Sequence, residues 1–196
     1  MPKDTFFRLN EEKKKRIFDA AVHEFSAQRF KDASLNKIIK AANIPWGSFY
    51  QYFEGKEDLY LYMFGKIAEE KHEIVYNAES FDMDADIFTL SMEAARASFE
   101  WARMKPEYCR IGMLMYADDL DFIVRIRNEL INEVRKLIER DKKRGVIRPD
   151  ADSDLIVDLI YSLFLYEYFS SGFDEKLYFA KMKEAIKIIR EGIAVI

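Results

Sequence analysis

Residues Ser34–Lys56 read SLNKIIKAANIPWGSFYQYFEGK, a stretch typical of two short helices joined by a tight turn. Ser34 is a favourable N-cap, and the apolar residues after it recur at helical spacing. Asn43 accepts the left-handed conformation that a sharp turn requires. Pro45 suits the start of the second helix, because its missing N–H would have no partner there. The stretch therefore predicts a helix-turn-helix motif at about residues 34–53.

The second helix of this motif has an apolar side and a polar side. Phe49 and Phe53, four residues apart, give it a face that packs inward. Gly47 on the other side lets the helix end approach a duplex closely. Base reading is predicted for Trp46, Gln51 and Tyr52, with Asn36 or Lys37 from the preceding helix. Phosphate contacts are predicted for Ser48, Tyr50 and Lys56.

The order of residue types in this motif resembles the DNA-binding signature of the TetR family of bacterial transcriptional regulators. The matching positions are Ala41, Ala42, Asn43, Ile44, Pro45, Trp46, Gly47, Ser48, Phe49, Tyr50, Gln51, Tyr52, Phe53 and Lys56. Three positions depart from the common pattern: Asn43 and Arg29 stand where Gly is usual, and Pro45 where Ser is usual. None of them removes a phosphate-facing group, so the resemblance still implies DNA binding.

Composition and periodicity predict an all-α fold. Of 196 residues, 49% are hydrophobic and only 7 are Gly and 4 are Pro, while apolar residues recur at spacings of three and four. We expect about nine helices, at residues 11–28, 35–42, 45–53, 56–79, 84–104, 107–116, 118–144, 152–171 and from 174 onward. Residues 1–10 are expected to be frayed, with Phe6, Phe7 and Leu9 as candidates to pack back. A three-helix DNA-binding domain would span residues 1–55 and a helical effector-binding and dimerisation domain residues 56–196.

Charge is distributed unevenly along the chain. The whole chain has a formal net charge of −4, yet residues 1–56 contain 11 Lys and Arg against 7 Asp and Glu. The basic part is the part with the motif, which favours phosphate binding at that end. The predicted partner is double-stranded operator DNA, and the dimer predicted below would make the operator palindromic.

Sites for enzymatic, metal or cofactor chemistry are not indicated. The sequence has no Gly-rich phosphate loop and no Cys/His cluster, and His23 and His72 lie far apart without catalytic company. Asp82, Asp84, Asp86 and Glu93 follow the spacing of a calcium loop, but Ile87 stands where that loop needs Gly. Helix capping by these aspartates is the favoured interpretation. No enzyme, metal site or cofactor is therefore predicted.

Two further features bear on location. The single cysteine, Cys109, excludes an intramolecular disulfide and reads as a small core residue rather than a redox sensor. The first residues lack an apolar signal core, and the most apolar segment, 155–169, is interrupted by Asp158 and Glu167. A cytoplasmic protein without a membrane span is expected.

Methionine and aromatic residues are frequent between the predicted helix at 56–79 and the one at 152–171. Such residues form ordinary cores, but they also line cavities for large apolar ligands. The family resemblance implies that this region encloses an effector pocket. Its predicted lining is Met63, Phe64, Met92, Phe99, Arg103, Met113, Tyr116, Phe122 and Tyr166.

The last two predicted helices are too apolar for one small domain to cover. A second copy making a four-helix bundle around a two-fold axis is the simplest cover, and the family resemblance implies the same homodimer. The predicted interface residues are Leu159, Leu163, Phe169, Met182, Ile186 and Ile189.

These features together predict a homodimeric transcriptional regulator. It would be a ligand-responsive repressor that binds a palindromic operator and is released by a small apolar or amphipathic effector. The alternative is a small-molecule-binding helical protein without operator function, which a salt-dependent shift of DNA fragments would separate. An all-α enzyme would need a convergent acid/base pair, and the sequence offers none.

Overall fold

A computed structural model describes residues 1–76, 82–170 and 174–193. The regular elements of these residues are helices, so the all-α prediction is confirmed, with one short helix more than the nine expected. The α-helices are α1 (Asp4–Phe7), α2 (Glu11–Ala27), α3 (Leu35–Ala41), α4 (Trp46–Tyr52), α5 (Lys56–Tyr76), α6 (Ile87–Met104), α7 (Pro106–Tyr116), α8 (Asp121–Lys143), α9 (Ser153–Ser170) and α10 (Glu175–Ile193). A 3-10 turn at Phe30–Asp32 precedes α3.

The additional helix, α1, corrects the expectation of a frayed start. Phe6 is completely buried, and its ring centroid lies 4.9 Å from those of Phe53 and Tyr62. Phe7, in contrast, is 51% exposed. Burying this large aromatic side chain contributes to offsetting the entropy lost by ordering the segment.

The first compact unit comprises residues 1–72 and 105–119. Its central helix is α2, which packs against α3 and α7. Asn10 caps α2 by accepting a hydrogen bond from the Lys13 amide at 2.9 Å. Ile17, Ala21 and Phe25 form the buried stripe of α2. This unit contains the predicted helix-turn-helix.

The second compact unit comprises residues 73–104 and 120 onward. Helices α6, α8, α9 and α10 pack around one apolar core, to which Phe99, Ile138, Val157 and Met182 contribute. The two units are defined by packing contacts alone. The predicted boundary between a DNA-binding domain and an effector-binding domain, after residue 55, stays a prediction. Among the described helices, none combines the length and hydropathy that crossing a bilayer requires.

The aspartates with calcium-like spacing cap α6 and pair with α8. Asp86 accepts a hydrogen bond from the Thr89 amide at 2.8 Å, which starts α6 at Ile87 rather than at Asp84 as predicted. Arg140 donates to the carbonyls of Met83 and Ala85 at 2.5 and 2.6 Å. Capping, the favoured interpretation of this loop, is thus observed for Asp86.

Candidate nucleic-acid interface

The turn between α3 and α4 has the conformation that the sequence predicts. Ser34 caps α3 by accepting from the Lys37 amide at 3.4 Å. Asn43 has φ = 51°, in the left-handed region, and its amide donates to the Lys40 carbonyl at 3.1 Å. Ile44 is only 7% exposed and fills the space beneath the turn. The two helices are therefore joined as in a helix-turn-helix.

Helix α4 is the candidate recognition helix. Phe49 and Phe53 are completely buried and fix one side of the helix to the unit. On the other side, Trp46 and Tyr50 are each 45% exposed, and their ring centroids lie 6.0 Å apart. Gly47 and Gln51 are exposed, Ser48 is half-buried, and Asn36 and Lys37 of α3 are exposed.

The predicted exposure of Tyr52 is wrong. Its side chain is only 6% exposed, and its hydroxyl accepts a hydrogen bond from Lys13 Nζ at 3.0 Å. Tyr52 lies three residues after Phe49, which places both side chains on the same side of the helix. It packs near Phe6, so it supports α4 from beneath instead of reading bases.

Lys56 is half-buried, and its ammonium is bound within the protein, which the sequence did not predict. Its ammonium donates to the carbonyls of Phe30 and Ala33 at 2.7 and 2.8 Å and lies 4.5 Å from the Phe30 ring centroid. Burial lowers the pKa of Lys56, against the raising effect of Asp32 and other nearby carboxylates. We assign Lys56 to holding the 30–33 turn against the start of α5 and leave it out of the DNA contacts.

Two buried carboxylates hold the chain before α3 in place by accepting hydrogen bonds from its backbone amides. Neither role was predicted from the sequence. Glu24, 6% exposed, accepts from the Ser34 amide at 2.8 Å. Asp118, 3% exposed, accepts from the Phe30 amide at 3.0 Å. Glu24 follows Ile17 and Ala21 on the apolar stripe of α2, which was a usable signal. Asp118 gave no local signal, because its partner is 88 residues away.

Comparison with known proteins agrees with this geometry. Residues 17–63, which contain α3 and α4, match the family model of the bacterial regulatory proteins, tetR family. Over these residues the chain is similar to the DNA-binding part of TetR-family regulators. The HTH-type transcriptional regulator YdgC of Bacillus subtilis is 22% identical over 158 residues, which are 78% of this chain and 77% of YdgC.

Solved structures of transcriptional regulators share the fold along nearly the whole chain. A TetR family transcriptional regulator from Chloroflexus aurantiacus has a TM-score of 0.74 and 24% identity, with complete coverage of both chains. The regulator FadR from Bacillus subtilis, in complex with stearoyl-CoA, has a TM-score of 0.70 and 17% identity, covering 92% of this chain and 99% of FadR.

The predicted effector residues have diverse environments in the two units. In the first unit, Met63 is completely buried, and Phe64, Met113 and Tyr116 are half-buried. In the second unit, Phe99 and Phe122 are buried and Met92 is half-buried. Tyr166 is 65% exposed, and Arg103 is exposed and pairs with Glu100 and Glu175 at 3.6 Å. These last two do not line an enclosed site in the second unit.

The predicted dimer residues also differ in accessibility. Met182 and Ile186 are buried in the core of the second unit, 0% and 5% exposed, so a single chain already covers them and their assignment to an interface is corrected. Leu163 and Ile189 pack partly against the same core. Leu159 is 44% exposed. The side chain of Phe169 lies outside the described residues.

Proposed function

We propose that this protein is a TetR-family regulator that binds operator DNA as a homodimer through the exposed faces of α3 and α4. The observation that carries the proposal is the construction of α4. On the inward side of α4, Phe49 and Phe53 are completely buried. On its outward side, Trp46, Tyr50 and Gln51 are exposed to solvent. Helices of this kind enter the major groove, where side chains meet base edges.

Each exposed group on the two helices has a proposed role at the duplex. Trp46 and Gln51, with Asn36 or Lys37, contact base edges, because an amide pairs with adenine and an apolar ring contacts the thymine methyl. Tyr50 and Ser48 contact phosphates and set the register. A symmetric dimer would bind two half-sites about 34–36 Å apart, one turn of the duplex.

Dimerisation is supported by apolar side chains that the single chain leaves uncovered on its last two helices. On α9, Leu155, Leu159 and Tyr166 are 56%, 44% and 65% exposed and recur at helical spacing. On α10, Leu177 and Ile188 are 43% and 62% exposed. Exposed apolar side chains that recur along a helix face are typical of protein–protein contacts, and a second copy is the proposed partner.

Regulation by a small molecule is the remaining part of the proposal. FadR, which shares the fold, binds stearoyl-CoA, so a long acyl chain on a polar carrier is our first candidate effector. The effector releases the operator if it prefers the state that does not bind DNA. Reversing the populations from 1:99 to 99:1 needs about 10⁴-fold tighter binding to that state, or about 5.5 kcal/mol. The result would be repression relieved by ligand.

The test begins with selection of bound duplexes from fragments of the neighbouring genomic DNA. The proposal expects one palindromic sequence to be enriched and to bind with a steep salt dependence. Stearoyl-CoA would then be added to the complex, with free CoA as the control that lacks the acyl chain. Failure to enrich any sequence would favour the alternative of a ligand-binding protein without operator function. Enrichment without release by acyl-CoA would refute only the effector class.

A further inference from the structure

Helix α4 is too short to be stable by itself. It has seven residues, and an isolated helix of that length is not stable in water. The last four carbonyls of any α-helix also lack partners within the helix. In α4 these are the carbonyls of Phe49, Tyr50, Gln51 and Tyr52, at the C-terminal end of the candidate recognition helix. Whatever satisfies these carbonyls fixes the end of the recognition helix.

Three of the four carbonyls are satisfied by residues 3–6, which we call the capping segment. The Lys3 amide donates to the Tyr52 carbonyl at 2.8 Å, and Lys3 Nζ donates to the Tyr50 carbonyl at 2.9 Å. The Thr5 hydroxyl donates to the Gln51 carbonyl. The fourth carbonyl, of Phe49, accepts from the Phe53 amide at 2.9 Å. No carbonyl at the end of α4 is left without a donor.

The capping segment is itself anchored to the unit. Phe6 is completely buried against Phe53 and Tyr62, with ring centroids 4.9 Å apart in both pairs. Lys3 also pairs with Glu54, just after α4, at 2.9 Å. The donors of Lys3 and Thr5 are thus held in place by the buried ring of Phe6 and by the ion pair between Lys3 and Glu54.

We infer that Lys3 and Thr5 are positioning residues for DNA recognition. They touch the backbone of α4, whose carbonyls fix the direction of the helix and so the placement of Tyr50 and Gln51. This inference rests on the proposed function, since it requires that α4 reads DNA. It adds a part of the chain, residues 3–6, that the family match at residues 17–63 does not include.

The experiment compares side-chain variants that remove the donors with variants that keep them. Lys3→Met removes the ammonium, and Thr5→Val removes the hydroxyl while keeping the shape. Thr5→Ser keeps the hydroxyl and should restore wild-type behaviour. Arg8→Met removes the same charge as Lys3→Met from an exposed residue that follows the capping segment, and it is the control for electrostatics.

Binding is measured on the selected operator and on a random duplex over a range of salt concentrations. The Lys3→Met/Thr5→Val double variant should lose about 3- to 10-fold in affinity for the operator, the effect expected for two exposed hydrogen bonds. Affinity for the random duplex, and the dependence of that affinity on salt, should match those of Arg8→Met. Equal losses on both duplexes, with a salt slope lower by about 1, would mean that Lys3 contacts a phosphate, and would overturn the inference.

Amide hydrogen exchange provides a readout that does not depend on finding the operator. Amides of α4 should exchange faster in the double variant and in Thr5→Val, while amides of α8 and the melting temperature change little. Unchanged exchange in α4 would overturn the positioning role. If the wild-type protein binds no DNA, the proposed function fails, and the exchange experiment still decides whether the segment orders α4.

Discussion

At the scale of one residue, Gln51 gives the most specific prediction, because it is the exposed amide side chain of α4 and an amide can distinguish one base from another. A side-chain amide forms paired hydrogen bonds with adenine in the major groove. Gln51→Ala should therefore lower discrimination at one base pair by about 1–3 kcal/mol. The measurement is the affinity for operator duplexes with every base substituted in turn.

Tyr50→Phe provides the comparison for Gln51→Ala, because it removes a proposed phosphate contact and keeps the ring. It should weaken binding to all sequences alike, with no change in base preference. If Gln51→Ala lowered the affinity for all sequences equally, or if Tyr50→Phe lowered the preference for particular bases, the assignments of Gln51 to base contact and Tyr50 to phosphate contact would be wrong.

Asp141 gives a prediction about stability at the same scale. Its carboxylate is completely buried, accepts from the Ile87 amide at 2.6 Å and pairs with Arg140 at 2.9 Å. Asp141→Asn should lower the free energy of unfolding by about 2–3 kcal/mol, because Arg140 loses its charged partner and new amide donors are buried. Urea unfolding measures this loss. Asp150→Asn, whose carboxylate is exposed, should change it little, and equal effects would contradict this account.

At the scale of an element, the turn between α3 and α4 depends on one backbone conformation. Asn43 has φ = 51°, which costs most non-glycine residues about 1–2 kcal/mol. Asn43→Ala should therefore lower the melting temperature, whereas Asn43→Gly should leave it unchanged or raise it slightly. Thermal unfolding of both variants measures this. A larger loss for Gly than for Ala would mean that the Asn side chain, rather than the turn conformation, is what matters.

At the scale of the whole molecule, the proposed dimer is the feature with the widest consequences. Leu159→Glu places a charge in the exposed apolar stripe of α9 and should convert a dimer to a monomer. It should also weaken operator binding, because a monomer engages one half-site. Sedimentation measures the assembly state. Leu130→Glu, on α8 and 39% exposed, is the control that should remain dimeric, and a dimeric Leu159→Glu would refute the interface.

The sequence by itself determined the features that depend on neighbours within one or two helical turns. Helical periodicity predicted the long helices, and single residues predicted the ends of a helix in the motif: Ser34 caps α3, and Asn43 has the positive φ expected after it. The order of residues in the motif also predicted the match of residues 17–63 to the tetR-family model. Local sterics and local hydrogen bonds decide these features, so they can be read from the sequence.

Only the tertiary structure decided which groups of the motif remain free to act. Tyr50 and Tyr52 are chemically alike, but packing exposes one and buries the other. Lys56 has the charge of a phosphate contact, yet carbonyls 23 and 26 residues earlier in the chain occupy its ammonium. The capping segment reaches residues 46 and 47 positions away. Contacts between distant residues depend on how the helices pack, and helical periodicity does not encode which helices meet.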